Sequence, residues 1–292
     1  MIIVKLAGGL GNQMFQYAFA KYLSLKHNAV LKADTEFLMK RTNLRKSFVF
    51  RDYDLDIFNL QLETATKQEV KNFKWTPLEA ADKILNKAIG FKKGYIVEPH
   101  FHFSEKCYAA GDNSYLEGYW QSEKYFAAIS NTLKAEDFIF RKQIGDNCEQ
   151  LMGQIVNCNS VCVNVRRGDF VTNPHHGTCN NGYYKNGEEI IITKINYPHF
   201  FVFSDEIDWC RDNLKFNGSV TYVGHEYAGK KFQDYLRLMA ACKHFIIPNS
   251  SFAWWAVWLN DQKQKIVIAP KYWFGDKTRN TTDLIESDWI TL

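Results

Sequence analysis

Residues 161–169 read Val-Cys-Val-Asn-Val-Arg-Arg-Gly-Asp, an apolar run that stops at two arginines, a glycine and an aspartate. Side chains alternate faces along a β-strand, so the three valines point one way while Cys162, Asn164 and Arg166 point the other. A guanidinium at the end of a strand is poor core material and forms paired hydrogen bonds with phosphate oxygens. A surface arginine held by Asp169 is the alternative interpretation, and the surrounding sequence weighs against it.

Working outward, the C-terminal half alternates strand-like and helix-like segments, the clearest helical pattern being 231–242. This alternation predicts parallel βαβ units in a doubly wound sheet, whose ligands bind beyond the carboxyl ends of the strands. The five predicted strands are 161–165, 199–203, 219–223, 244–247 and 265–269. Polar groups follow the first four of them, namely Arg166-Arg167 with Asp169, Ser204-Asp205-Glu206, Gly224-His225-Glu226 and Pro248-Asn249-Ser250-Ser251.

The N-terminal half begins with a predicted strand at 2–6, followed by Gly-Gly-Leu-Gly-Asn-Gln at 8–13 and an amphipathic helix. A glycine-rich turn from strand to helix lets backbone N–H groups approach an anion. It is not a dinucleotide fingerprint, because Met14 stands where the third glycine belongs. Further predicted elements are a helical segment over 64–93, strands at 97–103 and 115–120, and a helix from about Ser122.

At 292 residues and 46% hydrophobic composition, the chain is long for one compact domain and supports two cores. We predict an α/β fold with two Rossmann-like domains facing each other across a cleft. The boundary is placed near 155, giving an N-terminal α/β domain over 1–155 and a C-terminal domain over 156–292 that carries the arginine motif.

Composition excludes several classes of protein. The net charge of +4, from 36 basic and 32 acidic residues, lacks the strongly basic character that is typical of nucleic-acid-binding proteins. The sequence shows neither an apolar run of membrane-spanning length nor a signal peptide, and its seven cysteines form no CxxC pair. These features predict a soluble cytoplasmic protein. Aromatic residues make up 15% of the chain, which suits sugar rings as well as cores.

The segment Pro-Asn-Ser-Ser at 248–251 leads into an aromatic helical pattern at 252–259. Serine is a preferred helix N-cap, which explains one of the two serines without any ligand. The same helix start also presents N–H groups and hydroxyls to a diphosphate. Together with Arg166, these groups predict a metal-free binding site for a nucleoside diphosphate.

Three patterns are weaker candidates for metal sites, and we predict no metal at any of them. Asp52, Asp54 and Asp56 form an acidic series that lacks the glycine of an EF-hand. Asp205 and Glu206 form an acidic pair that suits a guanine or ribose hydrogen bond. His100 and His102 fit the half-buried polar face of a strand.

Five ordered blocks carry a resemblance to a known family. They are Gly8–Tyr17 (GGLGNQMFQY), Tyr115–Phe126 (YLEGYWQSEKYF), Val165–Phe170 (VRRGDF), Phe203–Trp209 (FSDEIDW) and Asp234–Leu259, which ends in IIPNSSFAWWAVWL. With them the chain resembles, nearly end to end, the α-1,2-fucosyltransferases of glycosyltransferase family 11. The resemblance implies a GT-B-like fold, GDP-L-fucose as donor, an inverting reaction that needs no metal or other cofactor, and a terminal β-galactoside as acceptor.

The resemblance also implies roles for individual residues. Arg166 matches the arginine that holds the donor β-phosphate, and Asn12 matches an asparagine that faces the donor, so both are the expected catalytic residues. The matched serine segment touches the diphosphate, and Asp205 matches an acidic residue near the nucleoside. The full expected donor-binding set is Gly9, Gly11, Gln13, Asn164, Arg167, Asp169, Ser204, Asp205, Asn249, Ser250, Ser251 and Phe252.

This chain departs from the family pattern at two positions. Asn164 stands where the family usually has histidine, and Glu206 replaces the second aspartate of FSDD. An amide forms hydrogen bonds but does not titrate, which counts against a mechanism that needs an imidazole there. The general base stays open among His175, His176, Glu188 and Glu98.

Other functions remain as alternatives. Two α/β domains also suit a nicotinamide-dependent oxidoreductase, although the glycine fingerprint is incomplete. A fucosyltransferase of α-1,6 linkage shares the arginine motif, but the blocks at 115–126 and 249–255 favour α-1,2. A non-catalytic sugar-binding module would need no diphosphate site. The acceptor is expected to be a glycan, and a lipid-linked glycan is one hypothesis. Lys92-Lys93 and Lys230-Lys231 suit peripheral contact with the inner face of the cytoplasmic membrane.

Overall fold

A computed structural model describes residues 1–39, 49–74, 94–173 and 177–292. These residues form two compact units that divide between Ile139 and Phe140, with Val49 grouping with the second. The division precedes the boundary that we placed near 155, because helix Asp146–Val156 packs against strand Asn159–Val165 and helix Gln233–Ala241 of the second unit.

The first unit is built on a parallel five-stranded sheet in the order β3-β2-β1-β5-β4. Its strands are β1 (Ile2–Lys5), β2 (Leu31–Asp34), β3 (Glu63–Thr64), β4 (Tyr95–Val97) and β5 (Ser114–Glu117). Its α-helices are α1 (Leu10–His27), α2 (Glu36–Met39), α3 (Lys67–Lys71) and α4 (Ser130–Thr132), which runs into a π turn at Leu133–Asp137. Short 3-10 helices lie at Leu55–Ile57, Glu105–Ala109, Glu123–Tyr125 and Ala127–Ile129.

Aromatic side chains fill the core of the first unit around α1. The ring of Phe19 lies 4.7 Å from that of Trp120 and 4.8 Å from that of Tyr125, measured between centroids. Phe15, Phe19, Trp120 and Tyr125 are fully buried. The high aromatic content of this half is therefore used largely for packing.

Several predicted elements of the first unit are wrong in extent. The strand placed at 97–103 is instead β4, which ends at Val97, because Pro99 has no N–H for the ladder and restricts the residue before it. His100 and His102 therefore follow the strand, where their rings stack 3.5 Å apart, and do not occupy one strand face. The strand predicted at 115–120 ends at Glu117, and 3-10 turns replace the helix expected from Ser122.

The segment 64–93, predicted to be helical, is only partly described. It contains the last residue of β3 and the short helix α3, which begins with a capping box in which Thr66 and Glu69 bond each other's backbone N–H groups. Residues 75–93 lie outside the described residues, and Lys92-Lys93 lie among them.

The second unit is built on a parallel six-stranded sheet in the order β11-β10-β9-β6-β7-β8. Its strands are β6 (Asn159–Val165), β7 (Pro198–Ser204), β8 (Ser219–Val223), β9 (His244–Ile246), β10 (Val267–Ala269) and β11 (Ile290–Thr291). Its α-helices are α5 (Asp146–Val156), α6 (Gly168–Val171), α7 (Asn181–Lys194), α8 (Ile207–Asn213), α9 (Gln233–Ala241) and α10 (Ser251–Leu259). Short 3-10 helices lie at His225–Tyr227 and Lys230–Phe232.

The predicted strands of the second unit are confirmed, as is the alternation of side chains along β6. The three valines of β6 pack in one core cluster with Tyr184 and Ile191 of α7. On the opposite face, Nδ2 of Asn164 lies 3.9 Å from the sulfur of Met239 in α9. Helices thus cover both faces of the strand, and Arg166 follows at its carboxyl end.

Among the described residues, no helix combines the length and the apolar character needed to span a bilayer.

Candidate active site

The guanidinium of Arg166 lies at the carboxyl edge of the second sheet, directly after β6. One terminal nitrogen bonds a carboxylate oxygen of Asp169, and Nη1 lies 2.8 Å from Oδ2 of Asp205. The ring of Phe170 lies 5.1 Å from the guanidinium carbon. The side chain remains about a quarter exposed. The group is therefore oriented by protein partners before any ligand arrives.

Asp205 organises both arginines of the motif. Its Oδ1 accepts a hydrogen bond of 3.0 Å from the backbone N–H of Arg167, while its Oδ2 faces Arg166. Gly168 makes this approach possible, because a Cβ on that residue would lie 2.4 Å from Oδ2 of Asp205. Asp205 thus contacts both arginines of the motif, and its expected place near the nucleoside stays a prediction.

Arg167 is held apart from Arg166 by its own partners. Its Nε donates a hydrogen bond of 2.9 Å to Glu206, and its guanidinium carbon lies 3.6 Å from the ring centroid of Trp209. Such stacking suits arginine but not lysine. Sequence analysis missed the role of Trp209, although it closes the Phe203–Trp209 block.

The same pairs bear on the metal sites considered from sequence. Asp205 and Glu206 each form an ion pair with an arginine of the motif. Within the described ranges, no group of three or more histidine, cysteine, aspartate or glutamate side chains is placed to hold a metal ion.

The first turn of α10 forms a second part of this edge. Ser250 occupies the N-cap position, yet its hydroxyl makes no capping hydrogen bond, and the first turn contains no acidic residue. Ser251 and Phe252 are partly exposed in that turn. A helix start of this kind offers N–H groups and a hydroxyl to an anion.

Three other predicted donor-binding residues have supporting contacts in the structure. The hydroxyl of Ser204 accepts the backbone N–H of Glu206 at 2.9 Å, and its carbonyl oxygen lies 3.0 Å from Nε2 of His225. Nδ2 of Asn249 donates to the carbonyl of Trp273 at 3.0 Å. The amide of Asn164 donates to the carbonyl of Phe203 at 3.1 Å across the sheet.

The first unit carries its own glycine-rich edge after β1. Gly8 has a φ of +79°, and a Cβ there would lie 2.3 Å from Nδ2 of Asn12. Gly9 is the N-cap of α1, again without a side-chain capping bond or an acidic first turn. Oδ1 of Asn12 accepts a hydrogen bond of 2.7 Å from Gln121, which follows β5. Asn12 is therefore fixed at the carboxyl edge of the first sheet.

Gln13 lies next to Asn12 but has a supporting role. It is fully buried, and its amide donates to the carbonyls of Gly8 and Asp52 at 2.9 and 2.8 Å. Its side-chain oxygen accepts the N–H of Asp54 at 2.9 Å. The acidic series at 52–56 is thereby tied to α1 through its backbone. Gly11 is buried in the same first turn.

The structure describes two of the four candidates for the general base, Glu188 and Glu98. Glu188 is fully buried, bonds Lys185 at 2.7 Å and accepts the N–H of Asn217, which precedes β8. Since the strands are parallel, that contact lies at the amino edge of the sheet, opposite the edge of Arg166. His175 and His176 lie outside the described residues. Glu98 follows β4 at the carboxyl edge of the first sheet.

The family is decided by a match along the whole chain. The model of glycosyl transferase family 11 matches residues 1–292. The chain belongs to this family. It is therefore a glycosyltransferase, which sets aside both the oxidoreductase and the non-catalytic sugar-binding module.

Individual relatives agree with this assignment. The chain is 30% identical to an α-1,2-colitosyltransferase of Escherichia coli, over 100% of this chain and 99% of that protein. It is 24% identical to galactoside α-(1,2)-fucosyltransferase 2 of Rattus norvegicus, over 89% of this chain and 67% of that protein. A solved structure of an Arabidopsis thaliana FUT1 variant in complex with GDP matches with a TM-score of 0.50 and 11% identity, covering 91% of this chain and 69% of that one. That likeness and the two parallel-sheet units show the GT-B-type fold.

Proposed function

We propose that this family 11 enzyme transfers L-fucose from GDP-β-L-fucose to the 2-hydroxyl of a terminal β-galactoside, with inversion and without a metal ion. The observation that carries the proposal is Arg166, oriented at the carboxyl edge of the second sheet by two carboxylates. The α-1,2 linkage rests on the names of the relatives.

Inversion requires a single in-line displacement through an oxocarbenium-like state. The acceptor oxygen forms a bond to C1 of fucose while the bond from C1 to the β-phosphate oxygen breaks, and the electron pair leaves with GDP. Negative charge therefore grows on the β-phosphate, where preorganised donors lower the barrier. Arg166, the first-turn N–H groups of α10 and the hydroxyl of Ser250 are the donors that we assign to this task.

Asn12 is assigned to the acceptor side of the reaction. Its position is fixed by Gln121 and by the close approach of Gly8. A side chain held in this way positions a reacting group at little entropic cost. We assign Asn12 to hold the reacting sugars in line rather than to transfer a proton, because an amide does not titrate.

The test is a product assay on the whole protein. The enzyme is incubated with GDP-fucose and a panel of β-galactosides, and the linkage of the product is determined by NMR. We expect an α-1,2-fucosylated galactoside. An α-1,6 product would overturn the linkage, and donor consumption without any fucosylated glycan would overturn the function.

Colitosyl transfer is a second candidate, favoured by the full-length match to the colitosyltransferase. Colitose is the 3-deoxy counterpart of L-fucose, so the two donors differ by one hydroxyl. A site that hydrogen-bonds a hydroxyl strongly rejects the analogue that lacks it. Comparing kcat/KM for the two GDP-sugars decides between them, and a preference for GDP-colitose would replace fucose in the proposal.

We also propose that the acceptor is lipid-linked and that the enzyme makes peripheral contact with the inner face of the membrane. Lys230 and Lys231, in a 3-10 turn of the second unit, are followed by Phe232, which is 43% exposed. Basic side chains beside an exposed aromatic ring suit an anionic bilayer surface. Co-sedimentation with anionic vesicles at low salt tests this, and absence of binding would remove the membrane contact from the proposal.

A further inference from the structure

We propose that Glu98 is the general base that takes the proton from the acceptor hydroxyl, at the carboxyl edge of the first sheet. The inference rests on the proposed function, since it assigns a catalytic residue to that transfer. Glu98, the turn after β5 and the start of α1 all belong to the first unit and are linked by hydrogen bonds.

Both carboxylate oxygens of Glu98 are held by backbone donors. Oε2 accepts the N–H of Tyr119 at 2.7 Å, and Oε1 accepts the N–H of Trp120 at 2.9 Å. Gly118 permits this close packing, because a Cβ on it would lie 2.4 Å from Cβ of Glu98. The carboxylate therefore has a fixed orientation and keeps lone pairs that these two bonds do not use.

The same turn links Glu98 to the start of α1. It runs from Gly118 to Gln121, and Gln121 donates its amide hydrogen bond of 2.7 Å to Asn12. Glu98 and Asn12 are thus held by one four-residue segment at one edge of the sheet. The ring of Tyr119, 43% exposed, gives this segment a flat apolar surface of the kind that suits a sugar.

Basicity is favourable for proton transfer near neutral pH. Burial raises the pKa of Glu98 to about 7, and the two N–H donors offset only part of this effect. The titratable side chains whose pKa responds to Glu98 are Cys107, Tyr119 and Tyr125, and burial raises the pKa of all three, so they are uncharged at pH 7. In the part of the chain that the structure describes, Glu98 has no ion-pair partner, unlike Glu117 on β5, which pairs with Lys5.

The proton balance is complete without a further reagent. As the acceptor oxygen bonds to C1, its proton moves to the Glu98 carboxylate, and the electron pair of the broken bond leaves on GDP. After the products depart, the carboxylic acid returns its proton to water. A base whose pKa lies near the working pH is the efficient choice for this step.

The experiment compares the wild-type enzyme, Glu98→Gln and the control Glu105→Gln, which removes an exposed carboxylate from the same unit. For each, kcat/KM for a galactoside is measured from pH 5 to 9 with GDP-fucose, and GDP affinity is measured by calorimetry. We expect the wild-type rate to rise with pH and to level above about pH 7. Glu98→Gln should lower kcat by about 10²–10⁴-fold and leave GDP affinity unchanged. It should also lose the acidic limb of the pH profile, which is the rise in rate between pH 5 and 7.

A supporting role for Glu98 in the 118–121 turn gives a different result. In that case Glu98→Gln would raise KM, leave kcat and the acidic limb in place, and overturn the proposal. If Glu98→Gln loses GDP binding through misfolding, Glu98→Asp replaces it, and an acidic limb with an unchanged midpoint would then overturn the proposal. Failure of the proposed function is separate, because the wild-type enzyme itself would then form no fucosylated product.

Discussion

At the scale of single residues, the decisive group is a guanidinium held by carboxylates. Arg166 forms ion pairs with both Asp169 and Asp205, so its orientation is fixed in advance by two carboxylates. Preorganised donors of this kind need no reorganisation when charge develops in the transition state. The sequence predicted the group and its place after a strand, but not that Asp205 would hold it.

Replacing Arg166 should therefore affect turnover strongly. We expect Arg166→Ala to lower kcat by about 10²–10³, corresponding to about 3–4 kcal/mol. Arg166→Lys should restore little, because an ammonium group cannot form the paired contacts of a guanidinium. Steady-state kinetics check this, with Arg211→Lys as control, since Arg211 is half exposed and pairs only loosely with Asp208 at 3.8 Å. Wild-type turnover in Arg166→Lys would contradict the assigned role.

Gly168 offers a second test at this scale. A Cβ there would displace the Asp205 carboxylate, which is the flexible end of a side chain, so the fold should survive with some backbone strain at a φ of +20° while Arg166 loses one of its two carboxylate partners. We expect Gly168→Ala to weaken GDP binding by about tenfold, or about 1.4 kcal/mol. Gly153→Ala is the matched control, because nothing lies within 4 Å of its added Cβ. Gly153→Ala should stabilise α5 by about 0.5–1 kcal/mol, and equal effects on GDP binding would refute the account.

At the scale of secondary-structure elements, helix N-termini differ in whether a side chain caps their backbone N–H groups. The N-terminus of α3 is closed by its capping box, whereas the hydroxyl of the N-cap residue of α10 makes no capping bond. The sequence indicated that a serine would cap the aromatic helix. Only the structure shows that this hydroxyl is not used in capping, because the backbone of Ser250 is extended as at an ordinary N-cap and the direction of the hydroxyl depends on the side-chain rotamer.

This difference predicts opposite outcomes for two truncations. Thr66→Ala should cost about 1 kcal/mol of stability, as the loss of a cap usually does, and leave GDP affinity unchanged. Ser250→Ala should leave the free energy of unfolding nearly unchanged and weaken GDP binding. Thermal unfolding and calorimetry measure both quantities. A large loss of stability in Ser250→Ala with intact GDP affinity would show that the residue is an ordinary cap.

Strands are predicted from the sequence most accurately where apolar residues form a clear run with definite ends. The central strands of the second sheet are buried on both faces, so their apolar runs are unambiguous. Five of the six strands were located, and the two-residue strand β11 was not predicted. The end of β4 was misplaced because apolar residues continue through Phe101 and Phe103, while the backbone is interrupted by Pro99. Turn residues after a strand depend on tertiary contacts, as Trp120 shows with a φ of +57° next to the Glu98 carboxylate.

At the scale of the whole molecule, composition and alternation predicted two α/β units, and the structure has two parallel sheets. The boundary was placed too late because α5 has the amphipathic pattern of any surface helix, and only its packing on β6 and α9 assigns it to the second unit. In the same way, the sequence could not choose among four bases, since the burial and ion pair of Glu188 and the position of Glu98 at a carboxyl sheet edge depend on tertiary contacts.

The central claim is that protein groups, and above all Arg166, stabilise the departing GDP without help from a cation. The most direct measurement is the rate of fucosyl transfer from GDP-fucose to a β-galactoside by metal-stripped enzyme in EDTA, with and without added Mn²⁺, for the wild-type protein and Arg166→Ala. The account predicts a full wild-type rate in EDTA and a rate at least about 10²-fold lower for Arg166→Ala. Added Mn²⁺ should neither raise the wild-type rate nor restore the rate of the variant. A wild-type rate that depends on Mn²⁺ would contradict it.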